Sequence, residues 1–298
     1  MKHEMQIVTW NANGLLKHKH EFEYFLNKQD IDVALVTETY LSPSIELKIP
    51  NYSIYRSDYP SGNSRGGAAV IIKSYLQHYE LLEWCIEEYQ VKTVNVTFEN
   101  LEISFGAVYS PPPTKPDIEQ YLQLFASAGN RFILGGDLNA KNISWGSRKT
   151  CVKGRRLKEA IERVGACCKT SGEPTYWPTD PDKIPDLIDL FITKGISHAK
   201  SSVENIYDLS SDHTPVLLKI SSYPMRKPVR EFLHNQKTNW DLYCEIIDSE
   251  IQMPTGTIKK AEIDNAVTYF TNIIRSAAIR ATPEAARTRP LLFFPREI

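Results

Sequence analysis

The stretch FILGGDLNA, residues 132–140, joins a short apolar run to two glycines and two polar side chains. A run of this length, bounded by glycine, predicts a buried strand over Phe132–Gly135. The glycines permit a tight turn that presents Asp137 and Asn139 on the same side. Asp137 could align or deprotonate a water molecule, and Asn139 could hold that water or a phosphate. The structural alternative at this place is an Asx turn.

Short β-rich runs with polar, glycine or proline flanks recur on both sides of this stretch. They predict strands at Gln6–Trp10, Val33–Thr37, Ala68–Ile72, Thr93–Phe98, Ile103–Tyr109, Phe132–Gly135, Leu187–Ile192 and Pro215–Ile220. Helical patterns lie between them, at His20–Gln29, Asp117–Ser127 and Arg155–Val164. This order predicts an α/β protein with layers packed on mixed sheets, rather than a parallel Rossmann sheet.

The composition limits the classes of function. The chain has 298 residues, is 42% hydrophobic and carries a net charge of −1, so any attraction to phosphate must be local. Its five cysteines are odd in number and lack metal-ligand spacing, which is typical of reduced thiols in an intracellular protein. No apolar run approaches the roughly 20 residues that span a membrane. These features predict a soluble cytosolic or nuclear protein.

The C-terminal part differs in character from the rest. The segment SSYPMRKPVREF, residues 221–232, combines two prolines with basic residues and indicates a linker. We therefore divide the chain into a main domain at 1–221, a linker at 222–238 and a helical appendage at 239–298. Two apolar helix faces are predicted in the appendage, formed by Trp240, Tyr243, Ile247 and Ile251 and by Ile263, Val267, Phe270, Ile274 and Ala277. The final LLFFPREI fits either a cut inside a longer polypeptide or a docked terminus.

Two further strand ends carry polar side chains. In WNANG, residues 10–14, Asn11 and Asn13 stand beside a glycine and could orient a phosphate or a metal-bound water. An Asn-Gly turn is the structural alternative. Glu38 closes the apolar strand VALVT, and a carboxylate there suits a hard cation such as Mg²⁺. A helix N-cap or a solvated strand end is the alternative for Glu38.

An acidic residue and a histidine follow later in the chain. Asp189 lies between apolar residues in PDLIDLF, and an unpaired buried charge there would be costly. The motif SSDHTP supplies a partner, His213, directly before the last predicted strand. A histidine held by a carboxylate has a raised pKa and can present a proton to a phosphoryl oxygen at neutral pH. A structural salt bridge is the alternative for this pair.

A basic cluster follows the Asp137–Asn139 loop. It consists of Arg148, Lys149, Lys153, Arg155, Arg156 and Lys158. Beside a phosphodiester site, such a cluster would position a nucleic-acid backbone without reading its sequence. An ordinary solvated helix start is the alternative. Three aromatic residues could stack on bases, although we expect them in the core: Trp145, Tyr176 and Trp177.

The ordered motifs WNxNG, ET, VYSPP, GDLNA, LIDLF and SSDHTP, from Trp10 to Pro215, resemble the endonuclease/exonuclease/phosphatase superfamily. This superfamily includes apurinic endonucleases and deoxyribonuclease I. The resemblance implies a four-layer sandwich of two mixed sheets flanked by helices. Segments such as RGGAAVII, GGDLNAKNISWGS and IPDLIDLFITK are similar to the endonuclease domain of non-LTR (LINE-type) retrotransposons, especially the jockey clade.

The retrotransposon resemblance implies partners and a metal. It implies a double-stranded DNA target, action in the nucleus and a reverse transcriptase domain in cis, to which the helical tail would connect. By position, Glu38 and Asn11 would hold the divalent metal, Mg²⁺ or else Mn²⁺, and Asp212 would complete the metal or water network. Repair enzymes of the superfamily have Asp where this chain has Asn13, which argues against a role in abasic-site repair.

The same resemblance implies catalytic roles. Asp137 would align and deprotonate the attacking water, with Asn139 beside it on the phosphate. Tyr109 would contact the scissile phosphate, and His213, oriented by Asp189, would stabilise the developing charge. The implied reaction is in-line hydrolysis that leaves a 3′-hydroxyl and a 5′-phosphate.

Three functions remain open from the sequence. The first is a DNA endonuclease that nicks a chromosomal target for target-primed reverse transcription. The second is a phosphatase acting on inositol lipids or another small phosphoester. Its usual Trp-Cys-Asp-Arg-like segment is absent around Asp189, which disfavours it. The third is a catalytically idle DNA-binding remnant, against which the filled catalytic positions count.

Overall fold

The computed structural model describes residues 3–59, 65–81, 84–85, 88–180, 182–224, 233, 237–251 and 263–283. The chain divides into two compact units, Met1–Met225 and Arg226–Ile298. Most of the predicted linker and all of the terminal LLFFPREI lie outside the described residues. Each unit is therefore described by itself.

The first unit contains the strands and three of the helices. Its strands are β1 (Glu4–Asn11), β2 (Val33–Thr37), β3 (Tyr52–Ser57), β4 (Ala68–Lys73), β5 (His78–Glu80), β6 (Trp84–Cys85), β7 (Gln90–Phe98), β8 (Leu101–Tyr109), β9 (Phe132–Asp137), β10 (Cys167–Lys169), β11 (Asp189–Lys194), β12 (Ser201–Asn205) and β13 (Val216–Ser221). Its helices are α1 (Lys19–Lys28), α2 (Ile118–Ala128) and α3 (Val152–Arg163). The helix α2 begins with a capping box between Asp117 and Gln120, which satisfies two otherwise unpaired backbone N–H groups.

The strands form two sheets. One has the order β12-β13-β1-β2-β4-β3, and the other has the order β10-β11-β9-β8-β7-β5 with β6 also beside β7. The pairs β1–β2 and β8–β9 are parallel, whereas the other neighbouring pairs are antiparallel. Both sheets are therefore mixed, and the predicted fold class is confirmed.

Three apolar clusters hold four layers together. Between the sheets, Ile7, Leu35 and Val70 of the first pack with residues of the second such as Phe105 and Phe191. On the outer face of the first sheet, α1 buries its apolar side against the strands β1, β2 and β4. On the outer face of the second, α2 and α3 do the same. Burial of apolar surface from both faces of each sheet is the main stabilising contribution to this arrangement.

Five strands were not predicted from the sequence: β3, β5, β6, β10 and β12. Of these, β3, β5, β10 and β12 are the outermost strands of their sheets, and β6 pairs beside β5 on β7. Edge strands are often short and partly exposed, so their sequences lack a continuous apolar run. In β12, for example, the sequence is SSVEN and four of its five residues are at least partly exposed. The omissions therefore have a common physical cause.

The two glycines of FILGGD lie within β9, and the prediction that they form a tight turn was wrong. A Cβ atom on Gly135 would stand 2.8 Å from the ring of Phe191 and 2.9 Å from Leu35 of the opposite sheet. A Cβ atom on Gly136 would stand 2.0 Å from the carbonyl oxygen of Val108. Both glycines are therefore required for close approach of neighbouring layers and strands, as is common for glycine inside a strand.

The second unit contains α4 (Trp240–Glu250) and α5 (Ile263–Ala281), which contact each other. The predicted apolar faces are correct for Ala277, which is buried, and wrong for Trp240, Val267 and Phe270, which are exposed. Among the described residues of α4 and α5, the buried side chains are Ile246, Ile273, Ala277, Ala278 and Ala281. Small alanine side chains allow close packing, a signal that a pattern of large apolar residues overlooks. Within the described ranges, none of the helices has the length and apolar character of a membrane span.

Candidate active site

The ends of central strands from both sheets bring polar residues together. Asn11 ends β1, and Glu38 directly follows β2, which runs parallel to β1. Asp137 ends β9 and stands opposite Asp189, the first residue of β11, in the antiparallel pair. His213 lies two residues before Pro215, which directly precedes β13, and β13 pairs antiparallel with β1. These placements collect the predicted residues at one edge of the sandwich.

The side chain of Asn11 connects the two sheets. Its Nδ2 donates to Oε1 of Glu38 at 2.9 Å and to Oδ2 of Asp137 at 3.0 Å. Its Oδ1 accepts from the backbone N–H of Asn13 at 3.0 Å, and the side chain is fully buried. Since an amide NH₂ group has two protons, both carboxylates can be held at once. Asn11 therefore fixes two negative groups side by side.

Glu38 lies on a strained segment. Glu38 and Tyr40 have φ angles of 48° and 53°, in the left-handed region that side chains other than glycine rarely adopt. The Tyr40 hydroxyl donates to Oε2 of Glu38. Burial, together with the charges of Glu38 and Asp212, raises the pKa of Tyr40, so its hydroxyl remains a donor at neutral pH. The side-chain amide of Asn13 donates to Asp212 at 3.0 Å.

Asp137, Asp189 and His213 form a buried cluster in which one ligand atom of each lies within 4.8 Å of the others. Nδ1 of His213 is 2.8 Å from Oδ2 of Asp189, and Nε2 is 4.0 Å from Oδ2 of Asp137. The histidine ring is thus oriented by one carboxylate and turned toward the other. The pairing of Asp189 with His213 expected from the sequence is present in the structure.

Burial and the charges in this cluster shift the pKa values of Asp137 and His213. Burial and the neighbouring carboxylates of Asp189 and Glu38 raise the pKa of Asp137, against the opposing effects of His213 and Asn11. Burial by itself lowers the pKa of His213, but Asp189, Asp137 and Asp212 together raise it to about 9. A pKa of about 9 favours the imidazolium at neutral pH, in which Nδ1–H is directed to Asp189.

Residues that sequence reasoning did not assign to the site hold this pair in place. The hydroxyl oxygen of Thr175 accepts from the backbone N–H of Asp189 at 3.1 Å. The ring of Tyr176 lies 4.9 Å from the ring of His213, and the indole N–H of Trp10 donates to the His213 carbonyl at 3.2 Å. These supports come from segments that are distant in the sequence, so no local sequence pattern reveals them.

Tyr109 and Asn139 border the same cluster. Tyr109 ends β8, and burial with the charges of Glu38 and Asp137 raises its pKa. Asn139 has a φ of 49°, and its backbone N–H donates to Oδ1 of Asp137 at 2.9 Å. The Asx turn considered as the alternative is therefore present beside the site residues. The Asn139 side chain donates to the carbonyl oxygen of Ser110 at 3.3 Å.

This edge carries oxygen atoms of the kind that a hard divalent cation binds. Glu38, Asp212 and the side-chain carbonyl of Asn11 offer carboxylate and amide oxygens, which are the donors that Mg²⁺ prefers. In the described part of the chain, no Lys or Arg nitrogen lies within 4.0 Å of the carboxylates of Glu38 or Asp212. Their hydrogen bonds come from neutral groups, among them Asn11, Asn13, Tyr40 and Tyr109. The negative charge is thus available to a cation.

The predicted basic cluster is not one continuous surface. Arg148, Lys149 and Arg155 are exposed, whereas the Arg156 guanidinium donates to two carbonyls of the loop before α2, at 2.8 and 3.2 Å. Lys153 is buried, so its interpretation as a nucleic-acid contact was wrong. It is the second residue of α3, on the side that faces the sheet.

The three aromatic residues differ in exposure. Trp145 is buried, as expected for the core, and Tyr176 is half-buried against His213. Trp177 is exposed, which contradicts its expected place in the core. Its backbone N–H donates to the Asp212 carbonyl, so the exposed indole lies beside the site.

The two-sheet sandwich and the buried cluster of Asp137, Asp189 and His213 agree with the family that the ordered motifs predict. Residues 8–213 match the Endonuclease/Exonuclease/phosphatase family, and the chain belongs to that family. The family predicted from the ordered motifs is confirmed.

The chain is similar to proteins of mobile elements. It is 36% identical over 294 residues to the RNA-directed DNA polymerase from mobile element jockey of Drosophila melanogaster, covering 96% of this chain and 32% of that protein. It is 33% identical over 279 residues to the jockey counterpart of Drosophila funebris, covering 94% and 30%. The chain thus spans about a third of the length of these relatives. The predicted resemblance to jockey-type elements is confirmed.

Solved structures share the fold. The endonuclease domain of TRAS1, a telomere-specific non-LTR retrotransposon, matches with a TM-score of 0.59 and 19% identity, covering 72% of this chain and 98% of that domain. The AP endonuclease LMAP from Leishmania major matches with a TM-score of 0.61 and 15% identity, covering 74% and 89%. At these identities the likeness shows the fold alone.

Proposed function

We propose that the main domain, residues 1–221, is a divalent-metal-dependent endonuclease that nicks double-stranded DNA. The observation that carries the proposal is the bridging amide of Asn11, which holds Glu38 and Asp137 together in front of the His213–Asp189 pair. The family contains nucleases and phosphatases, and similarity to mobile-element polymerases favours a DNA substrate. The 3′-hydroxyl at the nick would prime reverse transcription by a polymerase domain of the same polypeptide.

A Mg²⁺ ion, or Mn²⁺ in its place, would be held by Glu38 with Asn11 and Asp212. Bound there, the ion would supply positive charge to a phosphate oxygen. The Tyr40 hydroxyl and the Asn13 amide hold the two carboxylates and so fix the direction of their free oxygen atoms.

Asp137 would align the attacking water and accept its proton. Its raised pKa brings the carboxylate nearer to neutral pH, where a general base is most effective. The amide of Asn11 and the backbone N–H of Asn139 hold its two oxygens, so the carboxylate cannot rotate freely. A water proton would pass to Asp137 as the water oxygen bonds to phosphorus and the bond from phosphorus to O3′ breaks. The released O3′ would take up a proton from solvent and become the 3′-hydroxyl.

His213 would stabilise the negative charge that develops on the phosphate during the reaction. The imidazolium is held by Asp189 through Nδ1, and this leaves Nε2–H to donate to a phosphoryl oxygen. A preformed donor in a buried site needs no reorganisation during the reaction, which is why such groups stabilise transition states strongly. Tyr109 and the Asn139 amide would contact the remaining phosphate oxygens from the opposite side.

Arg148, Lys149, Arg155 and Arg156 would contact the DNA backbone outside this centre. Since their targets are phosphates, these contacts position the duplex and do not select a base sequence. The natural target of a mobile element is chromosomal, so we place the activity in the nucleus.

Incubation of the full chain with supercoiled plasmid and Mg²⁺ tests the proposal. Relaxed circles are expected from the wild type, and not from H213A, from D137A or after addition of EDTA. Plasmid that stays supercoiled but shifts in a gel would instead indicate an idle DNA-binding protein. Phosphate released from inositol phosphates, with plasmid untouched, would indicate a phosphatase.

A further inference from the structure

Lys153 is a buried lysine at the start of α3, close to the candidate site. Its side chain is surrounded by oxygen atoms of the loop that follows β8. Nζ donates to the carbonyl of Pro111 at 2.7 Å, and it lies 3.1 Å from the hydroxyl and 3.3 Å from the carbonyl of Ser110. The Thr114 hydroxyl lies at 3.5 Å. Only 4% of the residue is exposed.

This position is unfavourable for a cation. Burial lowers the pKa of Lys153 to about 8, while the neighbouring carboxylate of Asp137 acts in the opposite direction. Among the described residues, no carboxylate oxygen lies within 4.0 Å of Nζ. A cation in the first turn of a helix also opposes the helix dipole. Buried charge that is not paired is destabilising, so the stability of the fold does not explain this lysine.

The contacts of Lys153 lead to residues of the candidate site. The Ser110 carbonyl that it contacts also accepts from the side-chain amide of Asn139 at 3.3 Å. The Ser110 backbone N–H donates to the Asp137 carbonyl at 3.0 Å. Ser110 directly follows Tyr109, so the lysine fixes a segment that touches three of the predicted catalytic residues.

We propose that Lys153 is a positioning residue that acts through Ser110 to hold the Asn139 amide at the phosphate. The proposal rests on the nuclease activity proposed above. The lysine itself is too buried to contact DNA, so its effect must be transmitted by the loop. Loss of a positioning contact of this kind lowers the turnover rate because the reacting groups are no longer aligned.

The substitution K153M tests this, since methionine has a similar length and no charge. We expect kcat to fall about 10- to 100-fold, with KM changed less than about threefold. The matched control is K169M, because Lys169 is also a buried lysine, 7% exposed, that donates to a neutral hydroxyl, Ser201. Ser201 pairs with Ile220, at the end of β13 remote from His213. K169M should leave kcat within about twofold, and a K153M rate as high as that of K169M would overturn the proposal.

A double-mutant cycle separates positioning from general destabilisation. If Lys153 acts through Asn139, K153M should lower kcat by less than about threefold in the N139A background. If Lys153 has only a structural role, the decreases in kcat caused by K153M and N139A should multiply. That result would contradict the proposal.

If the wild type fails to nick plasmid, the proposed nuclease function is wrong. The coupling between Lys153 and Asn139 can then be tested by itself. The side-chain NH₂ resonance of Asn139 in ¹⁵N-labelled protein is identified by its loss in N139A. It should shift in K153M and stay unchanged in K169M. An unchanged resonance in both variants would overturn the proposed coupling.

Discussion

The side-chain amide of Asn11 donates to one carboxylate from each sheet, Glu38 and Asp137. Replacement by alanine would leave these two negative groups without their common donor. We expect N11A to lower kcat/KM about 100- to 1000-fold, the usual effect of removing one fixed donor from an active site. Binding of Mn²⁺, followed by electron paramagnetic resonance, should weaken about 10- to 100-fold.

The control for N11A is N27A, since Asn27 is exposed on α1 and its side-chain amide donates to the Glu23 carbonyl of its own helix. Nicking and Mn²⁺ binding should be unchanged in N27A. An N11A protein that keeps both properties would show that the bridge is not required.

The charge of Asp189 determines the protonation of His213. In D189N the shape is kept but the carboxylate that raises the histidine pKa is lost. Burial, which acts in the opposite direction, is then opposed only by Asp137 and Asp212, so the pKa of His213 should fall from about 9. The change is measured by NMR titration of the His213 ring in metal-free protein. The nicking rate at pH 7.5 should fall about 100- to 10,000-fold.

The matched control is D208N, because Asp208 is an exposed carboxylate that pairs with Lys28. Neither the His213 titration nor the nicking rate should change in this variant. If His213 keeps its high pKa in D189N, Asp189 is not the source of the shift.

At the scale of secondary structure, β9 depends on a glycine that admits no side chain. Gly136 has a φ of 154°, and a Cβ atom there would lie 2.0 Å from the Val108 carbonyl in β8. Since that neighbour is backbone, it cannot rotate away. G136A should therefore lower the free energy of unfolding by at least about 3 kcal/mol, measured by urea denaturation.

Gly165 provides the comparison for G136A. It follows α3 with a φ of 65°, and a Cβ atom would meet nothing within 4 Å. G165A should lower the free energy of unfolding only by the backbone strain, about 1 kcal/mol. Equal effects of the two substitutions would contradict the steric explanation.

The central strands could be predicted from the sequence, whereas the edge strands could not. A strand such as β2 is buried along its whole length, which gives a continuous apolar run with a polar residue, Glu38, at its end. The same reasoning located Asp137 and His213, because each stands next to an apolar run, whereas Asp189 was located because a charge between apolar residues needs a partner. Thr175 and Lys153 could not be recognised, since their role depends on which distant segments the fold places beside them.

At the scale of the whole molecule, the described site residues all belong to the unit Met1–Met225. A protein ending at residue 225 should therefore fold and nick plasmid at a rate within about threefold of the full chain. Circular dichroism and the plasmid assay measure both properties. Loss of nicking in a folded protein would show that the helical unit contributes directly to the activity.

The buried lysine also affects global stability in a pH-dependent way. Its folded-state pKa of about 8 lies below the ordinary value of 10.5, so between these values the unfolded chain binds more protons. The destabilising effect is complete below pH 8 and is removed as the pH rises toward 10.5. Relative to K153M, the wild type should gain about 3 kcal/mol over this range. Urea denaturation of both proteins at pH 7.5 and 10 measures the difference, and parallel stabilities would contradict it.

The chemical state of the DNA ends tests the proposed nuclease most directly. Plasmid treated with the full chain and Mg²⁺ is offered to a DNA polymerase with labelled nucleotides and without prior phosphatase treatment. Hydrolysis that breaks the bond to O3′ predicts immediate incorporation of label at the nick. Nicks that accept label only after removal of a 3′-phosphate, or plasmid that remains supercoiled, would contradict it.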